Sequence, residues 1–256
     1  MLFEKPLRNL LIGSGLLPSP YTWPNPFKIL EYRELLRGVR FARTDTVLDL
    51  GCGAGKPTIL IARRVKKAVG IDVDASQIEK AKGLAALYAR GADVEFRSVP
   101  LEEAGFKDGS FDKIVSFCVL EHIPHYERTL ALLADSLKEG GQILLSVDSL
   151  ATIADPALLE QHSREGHVAH YFTPEEIRAL LTDLGFERIT VRPIFRSAFA
   201  KRLFEKDIRE HYVGHDRFGK FFTYARLCAS EAMVPNAPKG IFLCVSAFKK
   251  GKRSVA

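Results

Sequence analysis

The residues best suited to chemistry lie in segment 47–55, where an apolar run leads into three glycines at alternate positions. These glycines are Gly51, Gly53 and Gly55, and Asp49 precedes them by two residues. Glycine tolerates positive φ and lets a ligand approach the main chain closely, so the segment predicts a ligand-binding turn between a strand and a helix. The carboxylate of Asp49 would repel a pyrophosphate and attract an ammonium group, which favours a ligand carrying positive charge.

A dinucleotide-binding turn is the alternative for a glycine-rich segment of this kind. It requires the pattern G-x-G-x-x-G, and Lys56 occupies the position of the third glycine. Together with the charge of Asp49, this disfavours a nicotinamide oxidoreductase.

The elements that must position this turn alternate between apolar strands and helices. We predict strands at 46–50, 68–72, 94–99, 113–118, 142–147, 188–194 and 241–248. We predict helices at 28–42, 57–66, 75–90 and 125–138, the last closed by Gly140 and Gly141, and a further helix from Thr173 to about Gly185. Continuous apolar strands separated by helices indicate a doubly wound, mainly parallel α/β sheet that is covered on both faces.

The chain divides into four predicted regions. Residues 1–42 form an N-terminal helical extension, 43–194 the α/β core, 195–239 a helical insertion, and 240–256 the last strand with a solvated basic tail. In the insertion, one predicted helical face carries Phe199, Leu203, Phe204 and Ile208, and another carries Phe218, Phe221, Phe222 and Ala225.

Further motifs follow the glycine turn in a fixed order. They are Gly70-Ile71-Asp72, Phe111-Asp112, Leu120-Glu121-His122, 137–141 (LKEGG), and Tyr171-Phe172 with Gly185-Phe186. In this order and spacing the chain resembles the class I S-adenosylmethionine (SAM)-dependent methyltransferases over about residues 40–195 and the final strand. The resemblance implies a seven-stranded Rossmann-like sheet with an antiparallel last strand, SAM as cofactor and S-adenosylhomocysteine as product.

The resemblance also implies the cofactor contacts. The glycine turn would surround the methionine and ribose parts, and Asp72 would accept from the ribose hydroxyls. The usual G-D-A at the end of the third strand reads Val99-Pro100-Leu101, so the adenine carboxylate is missing; the Leu101 N–H, Glu102 or Glu103 would have to substitute. The predicted cofactor residues are Asp49, Gly51, Cys52, Gly53, Gly55, Asp72, Val73, Pro100, Leu101, Glu102, Phe117 and Cys118, although Cys52 could serve only as a small spacer.

Methyl transfer from a sulfonium needs alignment of the acceptor, and a base only when the acceptor loses a proton. We predict His122, His167 and His170 as a general base or as acceptor-positioning residues. Glu121, His125, His162 and Tyr171 are further candidates near the same edge. The His-x4-His-x2-His spacing lies in a predicted loop without supporting carboxylates, so no metal site is predicted.

The insertion carries nine Lys and Arg against five Asp and Glu, with aromatic residues between them. It could cap an anionic or amphipathic small molecule, or present a basic face to RNA. The fourth strand ends in Ser116-Phe117-Cys118-Val119 rather than in the N/D-P-P-Y of amino-group DNA methylation, and resembles small-molecule members. The predicted function is methylation of a small-molecule, sugar or lipid-like acceptor. The alternatives are an RNA methyltransferase and a non-catalytic binding protein.

Composition sets the remaining bounds. The formal charge of +6 and the pI of about 9.1 permit nucleic acid or an acidic molecule as partner without choosing between them. The four cysteines form no CxxC pair, which predicts reduced thiols and a cytoplasmic protein. The chain has no apolar run of the roughly 18 residues that a membrane span needs. A monomer or a homodimer is expected.

Overall fold

The computed structural model describes residues 25–210 and 217–251, with side chains from residue 222 onward in the second range. Residues 1–24 of the predicted extension, the side chains of Phe218 and Phe221, and Lys252 and Arg253 of the predicted tail lie outside this description. Seven strands form one sheet: β1 (Thr46–Leu50), β2 (Lys67–Asp72), β3 (Val94–Ser98), β4 (Phe111–Phe117), β5 (Leu137–Asp148), β6 (Phe186–Ile194) and β7 (Phe242–Lys249).

The strand order is β3-β2-β1-β4-β5-β7-β6. Strands β1 to β5 are parallel, and β7 runs antiparallel to both β5 and β6. The predicted mostly parallel sheet with an antiparallel last strand is therefore confirmed.

Helices cover both faces of the sheet. They are α1 (Pro26–Leu35), α2 (Lys56–Ala62), α3 (Ala75–Tyr88), α4 (Tyr126–Ser136), α5 (Pro156–Gly166), α6 (Pro174–Asp183), α7 (Ala198–Arg209) and α8 (Arg217–Ala232). Among these, no helix combines the length and apolar character needed to cross a membrane.

Alternate residues of each central strand supply two separate cores. Leu48, Ile114 and Leu145 pack on one face with α4 and α6. Val47, Val115 and Leu144 pack on the other face with α1, α5, α7 and α8. Because successive side chains of a strand point to opposite faces, the continuous apolar runs of the sequence become two covered faces.

Several predicted boundaries were wrong. The helix predicted at 28–42 spans Pro26–Leu35 and ends seven residues early. Helix α4 ends at Ser136 rather than at residue 138, and Gly140 and Gly141 lie inside β5 instead of closing the helix. The backbone is already extended at Leu137. A Cβ on Gly141 would approach the Lys138 oxygen to 2.8 Å, so this glycine allows the strand to kink where its pairing with β4 shifts register.

The segment predicted as a loop around His162 contains helix α5. Asp155 caps the helix by accepting from the Ala157 N–H at 3.1 Å, and Pro156 occupies the first turn. His162 is buried within it, and His167 ends it in a left-handed conformation with φ of 54°. Most side chains of this segment are polar, so the sequence shows no clear helical pattern. The helix is stabilised instead by packing against α7.

In the insertion, Phe204 and Ile208 are buried as the pattern of α7 predicts. Phe222 of α8 is exposed, so the predicted apolar face of that helix does not include it. Helix α8 packs beside α1 through Leu227 and the half-buried Tyr224 and Cys228.

Helix α6 offers a stability test through its capping box. The Thr173 hydroxyl accepts from the Glu176 N–H at 3.2 Å, and the Glu176 carboxylate accepts in return from the Thr173 N–H. We expect Thr173→Ala to lower the free energy of unfolding by about 1 kcal/mol, because it leaves an N–H of the first turn without its acceptor. Urea denaturation measures this difference.

Thr182→Ala in the same helix is the control. Its hydroxyl donates only to the Arg178 carbonyl one turn earlier, at 2.8 Å, so the change should alter stability by less than about 0.5 kcal/mol. Equal losses for the two variants would contradict the capping assignment.

Candidate active site

The glycine turn joins β1 to α2 at the carboxyl edge of the sheet. Gly51, Gly53 and Gly55 have φ of +67°, +50° and +73°, the left-handed conformation that glycine adopts without strain. A Cβ on Gly51 would lie 2.3 Å from the Val119 side chain. A Cβ on Gly55 would lie 2.6 Å from the Phe96 ring. Neighbouring side chains as well as backbone conformation therefore require glycine at Gly51 and Gly55, while the approach of a ligand to the main chain stays a prediction.

A cavity of about 470 Å³ opens beside this turn, at the carboxyl ends of β1, β2 and β4. Eight of the predicted cofactor residues line it: Gly51, Asp72, Val73, Pro100, Leu101, Glu102, Phe117 and Cys118. The other four predicted residues, Asp49, Cys52, Gly53 and Gly55, belong to the end of β1 and the turn rather than to the wall of the cavity.

Sequence reasoning missed several lining residues. Val99, Val119, Ile123 and Thr129 also contribute to the wall. Val99 and Val119 directly follow β3 and β4, and a search of the residues after each parallel strand would have found them. Thr129 gave no such signal because it lies within helix α4.

Asp72 ties the glycine turn to the end of β2. Its Oδ2 accepts from the Gly53 N–H at 2.8 Å and its Oδ1 from the Asp74 N–H at 2.9 Å. Each carboxylate oxygen has a second acceptor position, so these bonds orient the group while leaving capacity for hydroxyl donors from the cavity.

Asp49 is buried behind the turn. Its Oδ2 accepts from the Thr58 hydroxyl at 2.5 Å, and its Oδ1 has no hydrogen-bond partner within the described residues. Burial, together with the nearby charge of Asp72, raises the pKa of Asp49 to about 7. An unsatisfied buried carboxylate oxygen at the base of the turn fits a cationic donor, as the ammonium of SAM would supply.

The adenine end of the predicted site is formed by a short 3₁₀ turn, Leu101–Glu103, which Pro100 precedes. Leu101 is buried and Glu102 is exposed, and both line the cavity. Glu103 does not appear in the wall, so of the two acids considered as substitutes only Glu102 adjoins the cavity.

The predicted histidines do not come together. His122 lines the cavity, and its Nδ1 lies 3.3 Å from the His167 carbonyl oxygen. His170 lies outside the cavity wall, where its Nε2 is 2.7 Å from Glu176 and its ring stacks on Tyr126. The His167 side chain is exposed and does not line the cavity. Burial lowers the pKa of His122 below its ordinary value.

Acidic side chains gather beyond the inner end of the cavity. Glu121 and Asp148 are buried near Cys118, and Glu31 of α1 accepts from the Cys118 thiol at 3.1 Å and the Ser146 hydroxyl at 2.5 Å. Burial is the main cause that raises the pKa of Glu121 well above its ordinary range, and that of Asp148 to about 6. The sequence pointed to Glu121 but gave no reason to place Glu31 or Asp148 beside it.

A larger cavity of about 980 Å³ lies elsewhere, between α1, β6 and α8. It is lined by five arginines, and three of these converge on Glu34. It shares no lining residue with the smaller cavity. We assign the candidate site to the smaller one because the glycine turn and Asp72 lie there.

The helical insertion adds nothing to the wall of the 470 Å³ cavity in the portion of 195–239 that the structure describes. Helices α7 and α8 pack on α1 and α5 instead. The acceptor-capping role of this region stays a prediction.

Comparison with known proteins agrees with this arrangement. The family model described as "Methyltransferase domain" matches residues 28–191. An arsenite methyltransferase of Halobacterium salinarum is 31% identical over 153 residues, which cover 58% of this chain and only 39% of that protein. A ubiquinone biosynthesis O-methyltransferase of Nitrosococcus oceani is 27% identical over 201 residues, 75% of this chain and 83% of that protein.

Solved structures share the same fold. Phosphoethanolamine N-methyltransferase 2 of Haemonchus contortus, in complex with phosphomonomethylethanolamine and S-adenosylhomocysteine, superposes with a TM-score of 0.63 at 17% identity. The match covers 87% of this chain and 53% of that one. With the matched family model, the seven-stranded order and the glycine turn, the chain belongs to the class I SAM-dependent methyltransferase family.

Proposed function

We propose that this protein transfers a methyl group from SAM to an oxygen or nitrogen atom of a small-molecule, sugar or lipid-like acceptor. The observation that carries the proposal is the 470 Å³ cavity, which joins the glycine turn and Asp72 to the end of β4 and to His122. Its volume is typical of a small-molecule site. The four free cysteines are consistent with a cytoplasmic location.

The cofactor would be held by carboxylate groups and by backbone N–H groups. Asp49 would accept from its ammonium group, Asp72 from its ribose hydroxyls, and the Leu101 N–H or Glu102 would contact the adenine. SAM supplies a methyl group on a sulfonium sulfur, a carbon that needs no further activation. The protein's remaining task is to align the acceptor and to exclude water.

His122 is our candidate for the acceptor side. Its Nδ1 faces the His167 carbonyl oxygen, which favours the tautomer protonated at Nδ1 and leaves Nε2 as an acceptor. For a hydroxyl acceptor, we propose that Nε2 takes the proton. His167 then orients His122 through its backbone, and His170 takes no part in the reaction.

The charges of the insertion support a small molecule over RNA. Arg196 pairs with Glu231 at 3.3 Å, and Lys201 with Glu205 at 3.8 Å. Lys206 pairs with Glu210 at 3.7 Å, and Arg209 with Asp155 at 3.8 Å. Four of the nine cations of the insertion are thus opposed by carboxylates, which weakens this region as a phosphate-binding face.

Methyl transfer tests the proposal directly. The purified chain is incubated with SAM labelled on its methyl group and with pooled phenols, carboxylic acids and amines, or with total cellular RNA. We expect label in a small molecule. Label in RNA alone would replace the proposal with the RNA alternative, and label in neither would support the binding-protein alternative.

Asp72 supplies a test of the cofactor site by itself. We expect Asp72→Asn to weaken S-adenosylhomocysteine binding by about 10- to 100-fold in calorimetric titration, since a hydrogen bond to a charged group is worth about 1.5–3 kcal/mol. Asp74→Asn is the matched control, because Asp74 caps α3 and an asparagine caps equally well. A similar loss in both variants would show that the effect is structural.

The raised pKa of Asp49 predicts a pH dependence of cofactor binding. Only the carboxylate form attracts an ammonium, so below its pKa of about 7 the affinity should fall by up to about tenfold per pH unit, and above that pH it should level off. Asp72 and Cys52 are the neighbouring groups that act on the same charge, and Tyr32 of α1 faces it.

Titration with S-adenosylhomocysteine between pH 5.5 and 8.5 measures this dependence. Asp49→Asn can still accept from Thr58 but carries no charge, so it should bind more weakly and without the inflection. Superimposable profiles for the two proteins would assign the titration to another group.

A further inference from the structure

Three side chains from two separate parts of the sequence meet beside the cavity, at Cys118 in its wall. They are Cys118, which follows β4, Glu121 in the 3₁₀ turn Leu120–His122, and Asp148 at the end of β5. The Cys118 Sγ and one oxygen of each carboxyl group all lie within 4.8 Å of one another. No metal site was predicted from the sequence, and Asp148 reaches Cys118 and Glu121 only through the pairing of β5 with β4.

The carboxyl group of Glu121 is buried without a fixed partner. Glu121 is 0% exposed, and neither of its carboxylate oxygens has a hydrogen-bond partner among the residues that the structure describes. Lys28 acts on the cluster but already pairs with Glu31 at 3.0 Å, and His162 Nε2 lies 3.7 Å from the Asp148 carboxylate. No fixed cation is paired with Glu121, so burial keeps its carboxyl group protonated, and a divalent cation bound beside Asp148 would displace that proton.

The backbone at Cys118 is held in an uncommon conformation. Its φ is 51°, although it is neither glycine nor asparagine, and its N–H donates to the Ser146 carbonyl oxygen at 3.0 Å. A non-glycine residue in this region is strained and persists where the surrounding structure requires it. Here it places a thiol at the point where the cavity meets the two carboxylates.

We propose that Cys118, Glu121 and Asp148 bind one divalent cation of the zinc class. A thiolate with two carboxylates is a mixed sulfur and oxygen donor set, which suits borderline Zn²⁺ or Co²⁺ better than Mg²⁺. Bond lengths of about 2.3 Å to sulfur and 2.0–2.2 Å to oxygen require donor atoms roughly 3.3–3.7 Å apart, so side-chain rotation within the 4.8 Å cluster would have to close the site around the ion. On binding, the Cys118 thiol and the Glu121 carboxyl group each release a proton to solvent, and the metal ion takes the place of both.

The role of such a cation follows from its position. Three protein ligands leave a coordination position open, and Cys118 also lines the cofactor cavity. The open position could take an oxygen or nitrogen of the acceptor and polarise it for methylation. This role rests on the proposed function, whereas the metal site itself does not.

The test uses the full chain after treatment with a chelator, without SAM or acceptor. Titration with Co²⁺ should give a thiolate-to-cobalt charge-transfer absorption that saturates at one equivalent. Cys118→Ser should abolish this band. Glu121→Gln and Asp148→Asn should each weaken binding at least about tenfold, because each removes a ligand.

Cys228→Ser is the matched control, since Cys228 is a free, half-buried thiol on α8, outside the cluster. It should leave the band unchanged. Circular dichroism and thermal unfolding verify that each variant is folded, and Cys118→Ser, nearly isosteric, keeps the test valid if a carboxylate variant does not fold.

The metal site would be overturned if the band were absent, survived in Cys118→Ser, or kept its affinity in a folded Glu121→Gln. Glu121 and Asp148 would then share a proton instead. Because the titration contains no cofactor, cobalt binding without methyl transfer would overturn only the proposed function.

Discussion

Strands β1 and β4 lie side by side at the centre of the sheet, but the chain leaves them in opposite directions. After β1 it proceeds outward through β2 and β3, and after β4 it proceeds through β5 to the other edge. No helix connection can cover the gap between the two strands, so a crevice opens at their carboxyl ends. The glycine turn, Asp72 and the residues after β4 all face this crevice because strand order, rather than any one motif, places them there.

The parts of the site that follow from local rules were predictable. Alternate glycines before a helix indicate positive φ. An acidic residue that ends a parallel strand lies at the carboxyl edge of the sheet. The structure agrees at Gly51 and Asp72 because these positions depend on backbone conformation and strand direction, which short sequence patterns encode. The same holds for the mostly parallel sheet with its antiparallel last strand, which follows from the alternation of strands and helices and from the family resemblance.

The parts that depend on tertiary packing were not predictable. Helix α5 carries mostly polar residues and is stabilised by burying Leu158 and His162. The separation of His122 from His170 follows from the partners that each ring finds, the His167 carbonyl for one and Glu176 for the other. Glu121 and Asp148 lie on different elements, and their separation along the sequence does not predict that they are close in space.

The position of β7 has a consequence for synthesis of the chain. This strand lies between β5 and β6, yet residues 242–249 follow both of them in sequence. While the polypeptide emerges from the ribosome, β5 keeps an open edge and β6 has no neighbour to pair with. An unpaired strand edge invites association with other chains. The nascent protein is therefore most exposed to misassembly in the interval before its final strand is released, and helices α7 and α8 are made during that interval.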